Sequence, residues 1–175
     1  DFINVDDDPQ NNQVHGTHVW GIIGATGNNG IGVSGVAWNV SIIPIKAGDE
    51  FGFFFEDAVI AANDYLTSMI ADFGPNSVAQ NNSWGGFDTT FYEDAPNGTD
   101  AERDSIVRFL DTGASYIAAA GNSAFDLDDP DFTAYPASYN IPGLISVAAT
   151  DNRDTLAVFS NWGAKRVDLA GPGQS

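Results

Sequence analysis

Apolar and polar positions alternate along this chain in two periods, and the periods take turns. Short runs rich in β-branched residues read as strands: Ser41–Ala47, Ser77–Asn82, Ala114–Ala120, Leu144–Thr150 and Arg166–Ala170. Pro44 weakens the first of these or places it at an edge or bulge, because proline brings no N–H to a ladder. Between the strands, Glu56–Ala71 has a helical period, with Ala58, Val59, Ala62, Leu66 and Met69 on one face. Ala101–Asp111 predicts a second helix, closed by Gly113. Strands alternating with helices predict an α/β fold built on a parallel sheet flanked by helices.

Ser83–Gly86 reads as a turn directly after one strand, and Gly121-Asn122 stops another abruptly. The polar stretches Asp88–Asp100 and Ser123–Pro142 both follow strand ends. In open α/β sheets the carboxyl ends of strands are where sites are built, so these stretches are the places to look for chemistry. No repeat, low-complexity segment or linker divides the 175 residues, which read as one domain.

Charge narrows the partners. The formal net charge is −18, and the acidic residues are spread through stretches such as Asp6-Asp7-Asp8 and Asp126–Asp131. Such a surface makes nucleic acid a poor partner. It suits a secreted or salt-exposed protein kept soluble by charge, or one whose carboxylates hold calcium. With no cysteine, neither a disulfide framework nor a thiolate metal site is open to it. No apolar run approaches the ~18 residues of a membrane span, and no signal-peptide pattern occurs. The chain begins at Asp1, as a mature product, an excised domain or a fragment would.

Both histidines lie in His15-Gly-Thr-His18. Two histidines three apart at a helix start serve equally as a capping pair or as half a metal site, and zinc would need a third ligand supplied by the fold. Their context is more specific. His15-Gly-Thr-His-Val, Gly27-Asn-Asn-Gly-Ile-Gly-Val33, Asn82-Ser-Trp-Gly-Gly86 and Ala118-Ala-Ala-Gly-Asn122 follow one another, and after them come Tyr135-Pro-Ala137, Ile145–Thr150, Phe159-Ser-Asn-Trp-Gly163 and Val167–Gly173. In that order these motifs resemble the subtilisin-like serine proteases, or subtilases, from about Asp1 to Gly173.

The resemblance implies a subtilisin-like three-layer α/β fold, incomplete at both ends, and peptide-bond hydrolysis through an acyl-enzyme. It makes His15 the catalytic histidine and His18 the family's second, non-catalytic one. Asn122 becomes the oxyanion donor. Asn82, Ser83, Trp84 and Gly85 become the strand edge that receives an extended polypeptide, with Trp84 lining a specificity pocket or packing in the core. Ala119, Ala120 and Gly121 form the pocket's other wall. Gly27–Val33 looks like the family's calcium loop, with Asn29 as side-chain ligand and carbonyls from Gly27, Ile31 and Val33. Asn4–Pro9 is similar to an acidic loop that is either a second calcium site or a solvated face.

The departures matter as much. No Asp-Thr-Gly or Asp-Ser-Gly precedes His15, and Asp111-Thr112-Gly113 falls at a helix end after it. No Gly-Thr-Ser-Met-Ala occurs, and Ser175 lacks those neighbours. Val14 and Trp20 stand where the family prefers glycine and alanine, and Gly171 where it has alanine. At a tightly packed spot the Trp20 indole would cost ~1–3 kcal/mol. The expectation is therefore a central portion of a secreted, calcium-stabilised subtilase catalytic domain. Alone it is inactive and poorly stable, and its partners are flanking segments or a propeptide. The alternative is a non-catalytic subtilase that binds peptide or calcium.

Overall fold

The computed structural model describes residues 1–10, 13–74, 79–87 and 100–174. The chain divides into two compact units, Asp1–Ala62 and Asn63–Ser175.

The first unit contains α1 (Val14–Gly24) and the start of α2 (Glu56–Phe73). Ser41–Ala47, expected as a strand, has no ladder: the unit's only described bridge is the antiparallel pair Gly48 and Phe54. A strand is held by its neighbours, and here Pro44 lacks an N–H while the Lys46 carbonyl accepts one isolated bond, from the Phe2 amide at 2.9 Å. Ile42 and Ile43 accordingly stay exposed. Asp1 anchors this region through its carboxylate, which accepts from the amides of Ile3 (2.7 Å) and Asn4 (2.9 Å) and pairs with Lys46 Nζ at 3.0 Å.

Helix α2 begins on Glu56 and Asp57, whose carboxylates suit the positive end of the helix dipole. Gly74, at φ +87°, ends it by donating its N–H to the Ile70 carbonyl at 2.9 Å. Its buried face is Ala58, Val59, Ala62, Leu66 and Ile70. Met69, expected on that face, is half-buried, and Asn63 joins the buried set instead.

The second unit is built on a four-stranded parallel sheet in the order β1-β3-β5-β6, where β1 is Ala79–Asn82, β3 Ser115–Ala119, β5 Leu144–Thr150 and β6 Leu169–Pro172. A small antiparallel ribbon pairs β2 (Gly86–Phe87) with β4 (Ala134–Tyr135). The expected strand over Arg166–Ala170 starts three residues late. Asp168 mimics a ladder residue: its amide donates to the Ser146 carbonyl at 3.0 Å and its carboxylate accepts from the Ser146 amide at 2.8 Å. Ser77 and Val78, and all of Asp88–Asp100 except Asp100, lie outside the described residues.

Helix α3 (Asp100–Leu110) packs on β3 through Ile106 and Phe109. The Phe109 ring meets Tyr116 edge-on, with centroids 6.2 Å apart and planes at 72°. Thr112 and Gly113 close the helix by donating to the Phe109 and Leu110 carbonyls at 3.1 and 2.9 Å, with Gly113 at φ +88°. Asp111-Thr-Gly113 is thus a helix stop in the structure as in the sequence reading.

Several polar side chains enter this core as hydrogen-bonded partners, whereas the Ser146 hydroxyl is buried without one. The Asn63 amide donates to Ser105 Oγ at 2.9 Å and its oxygen accepts from Gln80 Nε2 at 2.9 Å. Burial pushes the Tyr116 phenol well above its ordinary range, the Glu102 carboxylate adds to this, and the Asn63 amide opposes it. A phenol that stays protonated in the fold but ionises near pH 10 when unfolded leaves the unfolded chain with fewer protons above that pH. Stability from this group is complete below about pH 10 and falls above it by up to ~1.4 kcal/mol per pH unit. Urea melts from pH 8 to 11 should show Tyr116→Phe losing less stability with rising pH than the wild type.

Candidate active site

His15 and His18 stand in the first turns of α1, both exposed. The N-cap, Gln13, makes no side-chain cap, and the helix contains three glycines, so it does not stand on its own propensity. What holds it is its carboxyl end. The amides of Gly35, Val36 and Ala37 donate to the carbonyls of Ala25, Ile22 and Ile23 at 2.8, 2.9 and 2.8 Å, so the returning chain satisfies groups that a helix end leaves bare.

That return needs glycine. A Cβ at Gly35 would fall on the Ala25 amide nitrogen and 2.9 Å from the Gly21 carbonyl oxygen, while one at Gly24 would lie 2.8 Å from Val40 Cγ1. Trp20, by contrast, is 38% exposed, so the expected overpacking does not arise: the indole points where there is room. Gly35→Ala is expected to destabilise the fold by about 1–3 kcal/mol, read as a lower urea midpoint. Gly16→Ala, with nothing within 4 Å of the added Cβ, should raise it through helix propensity.

The loop between α1 and this return is Gly27–Val33. Asn28, Gly30 and Gly32 take φ of +58°, +72° and +59°, so left-handed residues alternate along an exposed loop. Asn29 Oδ1 accepts from the Ile31 amide at 3.0 Å, which leaves its second lone pair for another partner. The donors here are neutral amide and carbonyl oxygens, a set calcium accepts. In the acidic stretch, Asp6 and Asp8 accept from the amides of Asp8 and Gln10, each at 3.0 Å. Among the described residues no group of three His, Asp or Glu side chains comes together.

In the second unit, β1 is an edge strand whose last residue, Asn82, is 3% exposed. Asn82 Oδ1 accepts from Gln80 Nε2 at 3.0 Å and from Trp84 Nε1 at 3.2 Å, which fixes the indole just past the strand end. Ser83 Oγ accepts from Asn81 Nδ2 at 2.9 Å. Gly85 lies so near the ribbon that a Cβ there would be 2.9 Å from the Tyr135 carbonyl oxygen. Asn82 is paired with Ala118 of β3, so this segment and the end of β3 are neighbours.

Beyond β3, Ala119, Gly121 and Asn122 border a concavity at the carboxyl ends of β3, β5 and β6, opposite Val147, Ala149 and Gly171. Asn122 is exposed there. Ala120, expected in the pocket wall, is only 1% exposed, because its methyl packs with Leu127, Ala134 and Ala148 in the core. Ala119 and Gly121, not Ala120, border the concavity on this side. His15 belongs to the first unit and Asn122 to the second, each placed within its own.

One residue here had no role in the sequence reading. Asn161, in Phe159-Ser-Asn-Trp-Gly163, is completely buried beneath the Asn122 loop. The motif was visible, but nothing in a single sequence tells a buried asparagine from a turn residue.

An α/β unit with small residues and one exposed asparagine at the carboxyl edge of a parallel sheet, and a histidine helix closed on glycines, define a subtilisin-like protein. The chain belongs to the Subtilase family, whose match spans residues 1–175. It is 36% identical to the thermophilic serine proteinase of Bacillus sp. (strain AK1) over 99% of this chain and 37% of that one. To the extracellular basic protease of Dichelobacter nodosus it is 31% identical, over 91% of this chain and 24% of that one. The crystal structure of a cold adapted subtilisin-like serine proteinase superposes with a TM-score of 0.77 at 30% identity, over 99% of this chain and 54% of that one. This chain thus spans about half, or less, of the length of these relatives.

Proposed function

We propose that these residues supply the general base, the oxyanion donor and the substrate groove of a secreted serine endopeptidase. The observation that supports this best is the position of Asn122: exposed, at the end of β3, beside an open concavity and next to the edge strand β1. An extended polypeptide adds to that edge by backbone hydrogen bonds, with Gly85 giving it room and Trp84 and Ala119 flanking its side chain.

His15 takes the proton from a serine hydroxyl as the oxygen attacks the peptide carbonyl, and returns it to the amine as the C–N bond breaks. The Asn122 amide donates to the oxyanion formed in between, and water then repeats the sequence on the acyl-enzyme. The serine and the aspartate that steadies His15 are not found in family motifs among the 175 residues. The chain by itself therefore forms no acyl-enzyme, and flanking segments or a propeptide are its natural partners.

Incubation with a fluorophosphonate probe, followed by intact mass and peptide mapping, tests this. The 175-residue chain should stay unlabelled. The same reading frame extended in both directions should be labelled at one serine. There His15→Ala should abolish labelling, and Asn122→Ala should lower peptide hydrolysis by about 10²–10³-fold, a scale known from subtilisin itself. An adduct on the 175-residue chain would overturn the assignment. An unlabelled extended chain would leave the non-catalytic, peptide-binding alternative.

The Gly27–Val33 loop is assigned a structural calcium ion, held by Asn29 Oδ1 and the carbonyls of Gly27, Ile31 and Val33. Calcium should raise the melting temperature, a chelator should reverse this, and Asn29→Ala should remove most of the effect. Melting that ignores both calcium and chelator counts against the site. Export from the cell fits the acidic surface, and no described helix is long and apolar enough to cross a membrane. Neither nucleic acid nor membrane is assigned as a partner.

A further inference from the structure

We propose that Asn161 is the positioning residue of the oxyanion donor: its carboxamide sets the loop that carries Asn122, and it never touches substrate. The proposal rests on reading Asn122 as that donor, but its geometry stands apart from it.

The Asn161 side chain uses its three bonds on both sides of Asn122. Nδ2 donates to the Ala120 carbonyl at 2.7 Å, while Oδ1 accepts from the amides of Ser123 at 2.9 Å and Phe125 at 3.1 Å. Its backbone amide adds a fourth, to the Gly121 carbonyl at 2.9 Å. Residues 120, 121, 123 and 125 are thus tied to one side chain or its backbone, on both sides of Asn122, while the Ala124 amide donates to the Phe159 carbonyl at 2.9 Å. Gly121 has to be glycine here: it sits at φ +105°, and a Cβ would fall on Asn161 Nδ2.

The clamp has a fixed base. Ser160 Oγ donates to the Asn161 carbonyl and accepts from the Ala149 amide of β5, both at 2.9 Å. The loop is therefore referenced to the sheet, through a fully buried group with no freedom to relax into water. A planar amide brings a donor and two acceptor lone pairs to this spot at every pH. Serine is too short, leucine leaves three backbone groups unpaired, and an ionised aspartate turns the donor at Ala120 into a second acceptor.

This asymmetry supplies the test. Asn161→Asp keeps both acceptor bonds, and while protonated its hydroxyl can still donate to the Ala120 carbonyl. In ¹H–¹⁵N spectra of the full chain, the Asn161→Asp signals of Ser123, Phe125 and the Asn122 side-chain amide should match the wild type at the acid end. As the introduced carboxyl ionises they should shift together, with one midpoint. Asn161→Ala should displace them at every pH. Wild-type spectra at the same pH values give the baseline for Asp126 and Asp128, the carboxylates nearest in the same loop.

An Asn122 side-chain amide that keeps its wild-type position in both variants, while Ser123 and Phe125 move, would overturn the proposal. A second measurement needs no variant. In the wild type the Ser123 and Phe125 amides should exchange with solvent as slowly as those of β5, and fast exchange would also overturn it. Failure of Asn122→Ala to slow hydrolysis would instead remove the oxyanion reading and leave these results untouched.

Discussion

A parallel sheet ends all its strands on one side, and where a strand stops its backbone groups must find partners other than a ladder. In this chain that requirement is most acute after β3, which is internal to the sheet and runs out into Gly121-Asn122. The buried Asn161 carboxamide answers it, and much else follows. Gly121 must lack a side chain, Ser160 must tie the clamp to β5, and the segments around Asp126 and Trp162 must run side by side as a parallel bridge. With the Ala120 and Gly121 carbonyls and the Ser123 and Phe125 amides engaged, the turn is held at its base while Asn122 stays exposed.

The histidine helix meets the same requirement by other means. Its last carbonyls are satisfied by three successive amides of the returning chain, at a separation that only glycine at position 35 permits. Glycine is a poor helix former, and α1 has it at three positions. Gly21 and Gly24 cost helix propensity and gain close approach of Val33, Val40 and Ile42 to the helix surface. The sequence is here set by packing and capping, against local preference.

How much could be read from the sequence follows from the same physics. Leu144–Thr150 was legible to the residue because a buried parallel strand is a continuous apolar run with clear ends. Both later helices were legible from their period, and the second also from its glycine stop at Gly113. Ser41–Ala47 has strand-like composition, yet composition cannot supply the neighbour a strand needs. Arg166–Asp168 misled because a carboxylate stands in for a ladder group. Of the candidate site, Asn122, the Asn82–Gly85 edge and the Gly27–Val33 loop were visible as motifs. That Ala120 is buried in the core was not legible, and Asn161 was missed because its hydrogen bonds exist only once residues about 40 apart in sequence meet.

The choice of amides around Asn122 is itself informative in a chain of net charge −18. The buried polar residues described in this unit are asparagines and serines, among them Asn63, Asn82, Ser160 and Asn161, while Asp126 and Asp128 are only half-buried. An ionised carboxylate at position 161 would have to be desolvated and would set negative charge beneath Asn122, the residue proposed as oxyanion donor. A neutral amide avoids both costs, and because it does not titrate it holds the loop in one arrangement across the pH range in which a histidine changes its charge. In this unit the Asn122 turn is thus framed by groups that donate and accept without carrying charge, while the acidic side chains of the loop stay nearer to water.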